Sequence, residues 1–509
     1  MPPSPGSPPS TSAYAASASA SVSGSGAATL GKDAPDPNAP SWTEQDYYNQ
    51  VLDWTSCSDG EQCAKITVPM NWADPGGQRI QLAMARIVST DKSVKHLGSL
   101  LTNPGGPGAS GVDFLSYMPM LLSQDVVDSY DLVSWDTRGV GESVPVKCYD
   151  DTQLNQFFDY WPKSFDDAGL AEMTKVDQDF AAACKQNTGP VLQYVDSEST
   201  AKDMDVMRAA LGDQKLNYVG FSYGTFLGQL YAEDFPTKVG RMILDGVVDP
   251  ADSSDQDGYN QAVAFENEAR TFVKWCETKY AKSCPFKGNV DKGMNTIKSV
   301  FDAAGAKPLK TDYTGRKLSL TDAVTGVIEA MYDTSMWEDL ADAIDSAAED
   351  SDGTQLMDLA DEYYDRDSDG KFKDNMIEAF DAISCLDSPT DASRANMDAW
   401  AAKLKQGAPV LGQYFSYGQG LCGNWPYPAT FTPHAIAANG AAPIMVVGTT
   451  GDPATPYQQA VKVAGQLASG FLVTYKGEGH TALGNNTCIN DTAGAFLVKG
   501  TVPAKGTTC

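Results

Sequence analysis

Histidine and the closely spaced cysteine pairs of metal sites are scarce in this sequence of 509 residues. It contains only His96, His434 and His480, and none of its ten cysteines belongs to a Cys-x-x-Cys pair. A zinc site that draws its ligands from cysteine and histidine is therefore not expected. No apolar run approaches the length of a membrane span either.

Basic residues are also few. The chain has 37 lysines and arginines against 66 aspartates and glutamates, which gives a formal charge of −29 at pH 7. Such a charge argues against nucleic acid or an anionic membrane surface as a partner. It would attract a cationic or amine-bearing substrate, and it also keeps a secreted protein in solution, which we take to account for most of these charges.

The ten cysteines form an even set spread along the chain, which fits an oxidising compartment and a secreted protein. Sequence alone does not fix the connectivity of disulfides. Pairing each cysteine with its neighbour is the simplest arrangement and gives Cys57 with Cys63, Cys148 with Cys184, Cys276 with Cys284, Cys385 with Cys422, and Cys488 with Cys509.

The first forty residues are a tract of proline, serine, alanine and glycine. This tract has no lysine or arginine before Lys32 and no apolar core of a signal peptide. We expect residues 1–41 to be a disordered leader or the remnant of a propeptide, and we expect the export signal to lie outside this chain.

A Gly-x-Ser-x-Gly turn around Ser222 is the motif on which the functional prediction depends. Apolar residues typical of a buried strand precede it, and the segment from Thr225 to Tyr231 has the spacing of an amphipathic helix. Gly220 and Gly224 permit a sharp turn, because a side chain at either position would collide with the neighbouring backbone. This context predicts a nucleophile elbow, whereas the bare motif also occurs by chance.

A glycine-rich loop at residues 103–111 follows a short apolar strand at residues 98–102. Its four glycines and two prolines make a stiff loop whose backbone can approach a ligand closely, as an oxyanion hole made of main-chain N–H groups requires. We predict that the N–H groups of Gly106 and Tyr223 form this hole. Taken alone, the loop favours a turn without function, and it lacks the Gly-Lys-Ser/Thr ending of a phosphate-binding loop.

Asp452 and His480 each follow an apolar strand near the end of the chain. Parallel sheets present their functional loops at the carboxyl ends of their strands. An isolated Asp or His in a loop is usually structural, but the order Ser222, Asp452, His480 is that of the α/β-hydrolases. We therefore predict that these three residues form a catalytic triad.

Alternation of strands and helices through residue 248 predicts a mainly parallel sheet covered on both faces, with an antiparallel edge at residues 64–70 and 80–88. Apolar residues at helical spacing then predict a mostly helical cap. The predicted units are a leader at 1–41, the first part of the core at 42–249, the cap at 250–432, and the C-terminal part of the core at 433–509.

Two charged clusters are predicted to be structural. Asp136 and Arg138 follow a strand, and we expect a local ion pair between them to fix a tight turn. The segment 365–370 imitates the start of a calcium loop, but the twelfth position is Met376 where a bidentate glutamate should be. We expect a polar turn there, and no metal or other cofactor in the protein.

Six motifs together resemble the serine peptidase family of prolyl iminopeptidase, most closely its secreted bacterial tripeptidyl aminopeptidase branch. The resemblance extends over residues 47–509, and its motifs lie at 103–108, 136–141, 220–224, 244–250, 451–456 and 477–480. It implies an α/β-hydrolase fold with a helical cap, a Ser-Asp-His triad and cleavage near a free peptide N-terminus. Iminopeptidases have histidine where this chain has Pro104, which favours the tripeptidyl branch over a strict proline preference.

The expected reaction is acyl transfer to Ser222, with His480 as general base and Asp452 orienting it. The expected partner is a peptide with a free N-terminus, bound by a monomeric enzyme. Acidic residues of the cap would bind its amine, and Glu266 is the candidate, although a solvated helix face is the alternative. An esterase or lipase with the same triad remains a rival, as does a non-catalytic binding protein, which usually lacks a triad member. A dehalogenase or epoxide hydrolase would have aspartate at 222.

Overall fold

The computed structural model describes residue 39 and residues 41–58 and 60–509. The expected leader at 1–41 therefore lies almost wholly outside the described residues. In the described ranges, none of the helices combines the length and the apolarity that crossing a membrane requires.

The protein is built on a central β-sheet. Its strands, with a separate two-stranded pair β8 and β9, are β1 (Thr55–Ser58), β2 (Glu61–Pro69), β3 (Arg79–Ile87), β4 (Ser99–Asn103), β5 (Asp131–Trp135), β6 (Leu216–Phe221), β7 (Val239–Asp245), β8 (Leu309–Lys310), β9 (Lys317–Leu318), β10 (Ile444–Gly451) and β11 (Gly470–Glu478). The nine strands of the central sheet lie in the order β1-β2-β3-β5-β4-β6-β7-β10-β11.

The sheet is mainly parallel, as predicted. All pairs from β5 across to β11 are parallel, whereas β1, β2, β3 and β5 pair antiparallel at one edge. Every residue of β4 is buried, and so is every residue of β6 except Asn217, which is partly exposed. Such continuous burial explains the apolar runs that predicted these strands, because helices cover both faces.

The helices of the described chain pack around this sheet and extend beyond it. They are α1 (Glu44–Tyr48), α2 (Gly111–Phe114), α3 (Met118–Leu121), α4 (Gln124–Ser129), α5 (Asp151–Phe158), α6 (Asp167–Thr188), α7 (Ser197–Ala210), α8 (Gly224–Asp234), α9 (Ser254–Lys279), α10 (Val290–Ala306), α11 (Leu320–Tyr332), α12 (Trp337–Asp345), α13 (Thr354–Tyr364), α14 (Met376–Asp387), α15 (Arg394–Gly407), α16 (Gln419–Gly423), α17 (Tyr457–Gln466) and α18 (Thr487–Lys499). Short turns of 3₁₀ helix lie at Leu115–Tyr117, Gly189–Tyr194, Pro236–Lys238, Thr334–Met336 and Gly412–Phe415, and a π-helical turn at Ser346–Asp350.

Helices α9 to α16 all lie between β7 and β10, which is the predicted helical insertion. Apolar residues of α9 to α13 form a cluster of their own, separate from the two clusters around the sheet. Helix α14 differs, because Ala379, Ile383 and Leu386 pack into a cluster of the sheet. The cap boundary at 250–432 stays a prediction, since α14 belongs by sequence to one unit and by packing to the other.

All ten cysteines form disulfides, and the predicted pairing of neighbours is confirmed. The bonds join Cys57 to Cys63, Cys148 to Cys184, Cys276 to Cys284, Cys385 to Cys422, and Cys488 to Cys509. The longest loop that they close separates its cysteines by 37 positions. The last bond holds the C-terminal residue against α18.

The predicted ion pair between Asp136 and Arg138 is wrong. Arg138 is fully buried and pairs with Asp203 of α7, its Nε and Nη2 lying 2.5 and 2.8 Å from the two carboxylate oxygens. Asp136 instead accepts hydrogen bonds from the Ser110 hydroxyl at 2.7 Å and the Glu142 N–H at 2.9 Å. Sequence proximity suggested a partner, but the planar guanidinium reaches a carboxylate 65 positions away.

The segment 365–370 forms the expected polar turn. Two of its charged side chains form ion pairs: Lys373 Nζ lies 2.6 Å from Asp365 Oδ1, and Arg366 Nε lies 2.8 Å from Oδ1 of Asp361 on α13. Among the described residues, no group of histidine, cysteine, aspartate and glutamate side chains is arranged to hold a metal ion.

Candidate active site

Ser222 lies on a sharp turn between β6 and α8. Its φ of +53° is unfavourable for a residue with a side chain, and its N–H donates to the Asp245 carbonyl at 2.9 Å. A Cβ on Gly220 would lie 2.4 Å from the Gly224 carbonyl oxygen, and a Cβ on Gly224 would lie 2.8 Å from that of Asn103. Both glycines are thus required by the crowding that the sequence predicted.

The Asp452 carboxylate holds the imidazole of His480. Its two oxygens lie 2.9 and 3.0 Å from His480 Nδ1, and only 3% of the aspartate is exposed. The same carboxylate accepts the N–H groups of Ala454 at 3.0 Å and Thr455 at 2.8 Å, as well as the Thr455 hydroxyl at 3.1 Å. These donors fix the carboxylate, so that it presents an acceptor to Nδ1 and leaves Nε2 available.

Opposing influences act on the pKa of His480. Burial lowers it, but the charge and hydrogen bond of Asp452 and the charge of Asp245 together outweigh burial and raise the pKa above its usual value. Asp245 ends β7, is fully buried, and accepts the N–H groups of Ala482 and Leu483, the shortest distances being 2.9 and 2.8 Å. Burial raises the pKa of Asp245 to about 6.

Ser222 and His480 line the same cavity. Within the described chain, His480 Nε2 is buried and has no hydrogen-bond partner. A nucleophile and its base often stand farther apart without substrate than in a complex, so the free nitrogen is compatible with a base that acts on the Ser222 hydroxyl.

In the described part of the chain, two main-chain N–H groups of the cavity wall, those of Gly106 and Tyr223, have no protein acceptor. A Cβ on Gly105 would stand 2.9 Å from Ser222 Cβ and 3.2 Å from Tyr223 N, which shows how closely the glycine-rich loop approaches the elbow. Both Gly106 and Tyr223 line the cavity. In the described structure, neither of their N–H groups donates to a protein acceptor, and Tyr223 N opens helix α8, whose dipole favours negative charge.

The cavity has a volume of about 930 Å³ and opens between the sheet and the helical insertion. Among the described residues, no lysine or arginine lines it, whereas carboxyl groups are common in its wall: Asp249, Asp252, Asp257, Glu329, Asp333, Glu362, Asp387 and Glu478. Apolar groups of the wall include Phe114, Leu121, Phe221, Phe380 and Leu483.

The acidic side chains of the wall differ in their partners. Lys462 Nζ lies 3.4 Å from Asp249 and 3.1 Å from Asp252. In the described chain, Glu329 on α11 and Glu362 on α13 form no ion pair and accept no hydrogen bond through their side chains. Burial and the neighbouring charges of Glu362 and Asp333 raise the pKa of Glu329 to about 8. This corner therefore holds carboxyl groups that have no cationic partner in the described chain.

The structure does not bring Glu266 to the site, which corrects the expectation that it binds an amine. Glu266 is 1% exposed, and its Oε2 accepts the N–H groups of Val410 and Leu411, both at 3.0 Å. Its other oxygen lies 3.3 Å from Arg270 Nε. Glu266 faces neither the cavity nor solvent, because these backbone donors from a distant turn occupy the carboxylate.

Sequence reasoning missed Asp245 and the pair Glu329 and Glu362. Asp245 is the last residue of an apolar strand, and Asp452 directly follows one. The sequence could therefore have predicted that Asp245 lies at the carboxyl edge of the sheet. Glu329 and Glu362 are two of many acidic residues on amphipathic helices, and only the packing of α11 against α13 distinguishes them.

The family described as "TAP-like protein" matches residues 408–509, and the family described as "alpha/beta hydrolase fold" matches residues 98–282. "Serine protease Hip1" of Mycobacterium tuberculosis is 35% identical over 486 residues, which cover 90% of this chain and 91% of the relative. "Carboxylesterase B" of the same species is 37% identical over 487 residues, 93% and 91% of the two chains.

"Tripeptidyl aminopeptidase" of Streptomyces lividans is similar over a comparable span. It is 30% identical over 472 residues, which cover 90% of this chain and 86% of the relative. The sequence similarity to the three relatives therefore extends over about nine-tenths of this chain.

Proposed function

The chain belongs to the TAP-like family of α/β-hydrolases, which are serine hydrolases, and from this premise we propose that it is a secreted aminopeptidase. It releases short peptides, tripeptides above all, from substrates with a free N-terminus. The observation that carries the proposal is that Ser222 and His480 share a cavity with the carboxyl groups of Glu329 and Glu362, which have no partner among the described residues.

In the first step, His480 Nε2 removes the proton of Ser222 as Oγ attacks the substrate carbonyl. Asp452 supports this step, because its hydrogen bond to Nδ1 sets the tautomer and its charge stabilises the imidazolium that forms. The N–H groups of Gly106 and Tyr223 bind the carbonyl oxygen as it becomes negative. Removing one such donor typically costs about 100- to 1,000-fold in kcat.

In the second step, the tetrahedral intermediate collapses to an acyl-enzyme. His480 gives its proton to the leaving amine, and the C–N bond breaks. Water then enters, gives a proton to His480 and attacks the ester of Ser222, so that the released peptide leaves with a new carboxylate and Ser222 regains its proton.

An exopeptidase also has to recognise a charged α-amino group, and the acidic corner of α11 and α13 suits it. Glu329 and Glu362 have no cationic partner in the described chain, in contrast to Asp249 and Asp252, which Lys462 already neutralises. An ammonium bound at this corner would favour the ionised form of Glu329 and lower its raised pKa. The amine of the substrate would thus supply the missing charge.

The size of the cavity agrees with a short peptide. Its volume of about 930 Å³ lies near the upper end of the range of about 300 to 1,000 Å³ that is usual for ligand pockets. We propose that residues 250–432 act as a cap that closes this cavity beyond the amine and thereby limits the number of residues removed per cut.

An esterase is the second candidate, and the 37% identity to a relative named carboxylesterase B favours it. The same Ser222, His480 and Asp452 would cleave an ester, since fold and triad do not determine the acyl substrate. In that case the acidic corner would play no part in substrate recognition.

The test is a mass-spectrometric digest of one peptide with a free N-terminus and of its N-acetylated twin, alongside a short acyl ester. We expect release of an intact tripeptide from the free form alone, and no turnover by Ser222→Ala. Glu329→Gln should lower kcat/KM for the free peptide by about tenfold or more, because a charge-assisted hydrogen bond is lost, and leave ester hydrolysis unchanged.

Glu338→Gln is the matched control for the charge change. Glu338 is exposed on α12 and does not line the cavity, so its variant should hydrolyse both substrates as the wild type does. If the enzyme hydrolysed the ester and cut neither peptide, the aminopeptidase proposal would be rejected in favour of the esterase. If both peptides were cleaved at equal rates, the proposed binding of the amine by Glu329 and Glu362 would be rejected.

A further inference from the structure

The phenol of Tyr223 ends in a chain of buried hydrogen bonds whose last member, Asp387, also lines the active-site cavity. Its hydroxyl is hydrogen-bonded to Ser197 Oγ. Ser197 Oγ lies 2.5 Å from Asp387 Oδ2, and Ser197 N–H donates to Asp387 Oδ1 at 2.8 Å. Tyr223 is 7% exposed, Ser197 is fully buried and Asp387 is 9% exposed.

The three residues come from different parts of the fold. Tyr223 follows the nucleophile on the elbow, Ser197 is the first residue of α7, and Asp387 is the last residue of α14 in the helical insertion. Helix α14 is itself fixed two positions earlier by the disulfide of Cys385. The chain of hydrogen bonds therefore ties the elbow to an element that packs over the sheet.

We propose that Ser197 and Asp387 are positioning residues that fix Tyr223, so that its N–H points at the developing oxyanion. This inference rests on the oxyanion hole of the proposed function. A donor contributes to catalysis only if its direction is set before the reaction, because reorganisation during the reaction would consume the stabilisation. The N–H and the phenol belong to the same residue, so holding the ring by its far end restricts rotation of the backbone at the elbow.

The link does not depend on where the proton of Asp387 resides. Burial and the charges of Asp196 and Glu198 raise the pKa of Asp387 to about 8. When Asp387 is ionised, Tyr223 donates to Ser197 and Ser197 donates to the carboxylate. When Asp387 is protonated, it donates to Ser197 Oγ and the Ser197 hydroxyl donates to Tyr223. Every link remains a hydrogen bond in both forms.

The helix that follows the elbow provides a matched control. Tyr231 is also fully buried on α8, and its hydroxyl donates to Asp205 Oδ1 at 2.9 Å. Tyr231→Phe removes the same chemical group from the same helix, two turns beyond the elbow. It should lose a similar amount of stability and keep the wild-type kcat.

The experiment compares Tyr223→Phe, Ser197→Ala and Tyr231→Phe with the wild type. The substrate is whichever of the peptide or the ester the wild type hydrolyses, so a wrong substrate assignment leaves the experiment intact. We expect Tyr223→Phe and Ser197→Ala each to lower kcat about tenfold with KM changed less than twofold, because the interaction is made in the transition state and not with bound substrate.

A second measurement separates positioning from stability. A peptide or acyl boronate forms a tetrahedral adduct with the serine and places an oxygen in the oxyanion hole, whereas the reaction product does not. Affinity for the boronate should fall in Tyr223→Phe and Ser197→Ala by the same factor as kcat, with affinity for the product unchanged. The double variant Tyr223→Phe with Ser197→Ala should be no slower than Tyr223→Phe alone, since both changes break the same chain of hydrogen bonds.

Wild-type kcat and wild-type boronate affinity in Tyr223→Phe would overturn the proposal and leave the hydroxyl with a role in stability alone. Additive losses in the double variant would also overturn it. If Tyr223→Phe did not fold, Ser197→Ala would give the same comparison, because it removes the hydroxyl that links Tyr223 to Asp387. If Ser222→Ala lost all activity while Tyr223→Phe kept the wild-type kcat and boronate affinity, this inference would be refuted and the proposed function would not be affected.

Discussion

His480 illustrates how a single residue takes its properties from groups that do not touch the substrate. Asp452 holds its Nδ1, and Asp245 adds a second negative charge beneath the site. Both charges favour the imidazolium and oppose burial, which favours the neutral ring. Because the base has to be neutral to accept the proton of Ser222, activity rises with pH as the proton leaves His480.

Replacing Asp245 by asparagine should therefore move the acid limb of the pH profile. The change removes one charge that raises the pKa of His480, so the limb of kcat/KM should shift to lower pH. Asparagine keeps an oxygen acceptor for the N–H groups of Ala482 and Leu483. Initial rates across pH 4 to 9 measure the shift, with Asp205→Asn, which changes a buried carboxylate of α7, as the control. An acid limb that stayed in place or moved to higher pH would contradict the prediction.

The predicted triad residues differ in a physical way from Glu266, which does not line the cavity. Ser222, Asp452 and His480 follow strands, and the parallel sheet brings the carboxyl ends of those strands to one edge. Glu266 lies on a helix, where the sequence shows which face is apolar but not which neighbour meets the other face. Its partners, the N–H groups of Val410 and Leu411, come from 144 and 145 positions farther along the chain.

Among the secondary-structure elements, helix α14 connects the helical insertion to the central sheet. Its apolar residues pack against the sheet, Asp387 at its end reaches Ser197, and its Cys385 is bonded to Cys422 of α16. Apolar residues at helical spacing predicted helices in this part of the chain, and strand patterns predicted the sheet. The pattern did not reveal that this helix packs with the core, because helical periodicity is the same whichever body covers it.

Removing the disulfide at this junction should cost more stability than removing the short one at the sheet edge. Cys385→Ser with Cys422→Ser opens a loop of 37 positions, which corresponds to about 4 kcal/mol in the chain-entropy account. Cys57→Ser with Cys63→Ser opens a loop of 6 positions, which corresponds to about 2 kcal/mol. Urea unfolding of the two double variants measures the difference, and an equal loss in both would contradict the prediction.

For the whole molecule, a recurring feature of the described chain is that carboxyl groups lie in surroundings that raise their pKa. Burial raises the pKa of Asp177 to about 7 and that of Asp381 to about 8. Burial and the neighbouring Glu478 raise the pKa of Glu268 to about 9. Each group binds a proton in the folded protein that it would release in the unfolded chain at neutral pH. The net charge of −29 acts in the same direction, because repulsion among carboxylates falls as they are protonated.

Stability should therefore decrease from acid to alkaline pH. A carboxyl with a raised pKa in the folded state contributes stability that is fully present below its unfolded value near 4 and is lost as pH rises to its folded value. For these groups that window extends from about pH 4 to about pH 9. The melting temperature should be higher at pH 5.5 than at pH 8.5 at constant ionic strength.

Asp381→Asn provides the internal comparison for this prediction. Because the variant lacks the titrating carboxyl, its melting temperature should fall less between pH 5.5 and pH 8.5 than that of the wild type. Thermal unfolding followed by circular dichroism at both pH values is sufficient. A wild-type melting temperature that rose with pH would contradict the argument.

The order in which the disulfides join the cysteines has a consequence for the biosynthesis of the protein. Each cysteine is bonded to the next one along the sequence, so no disulfide encloses or crosses another. A chain that enters an oxidising compartment from its N-terminus therefore exposes only one unpaired cysteine before its correct partner arrives. Oxidation in order of emergence yields the native set directly, and a disulfide isomerase would have no mispaired bond to correct.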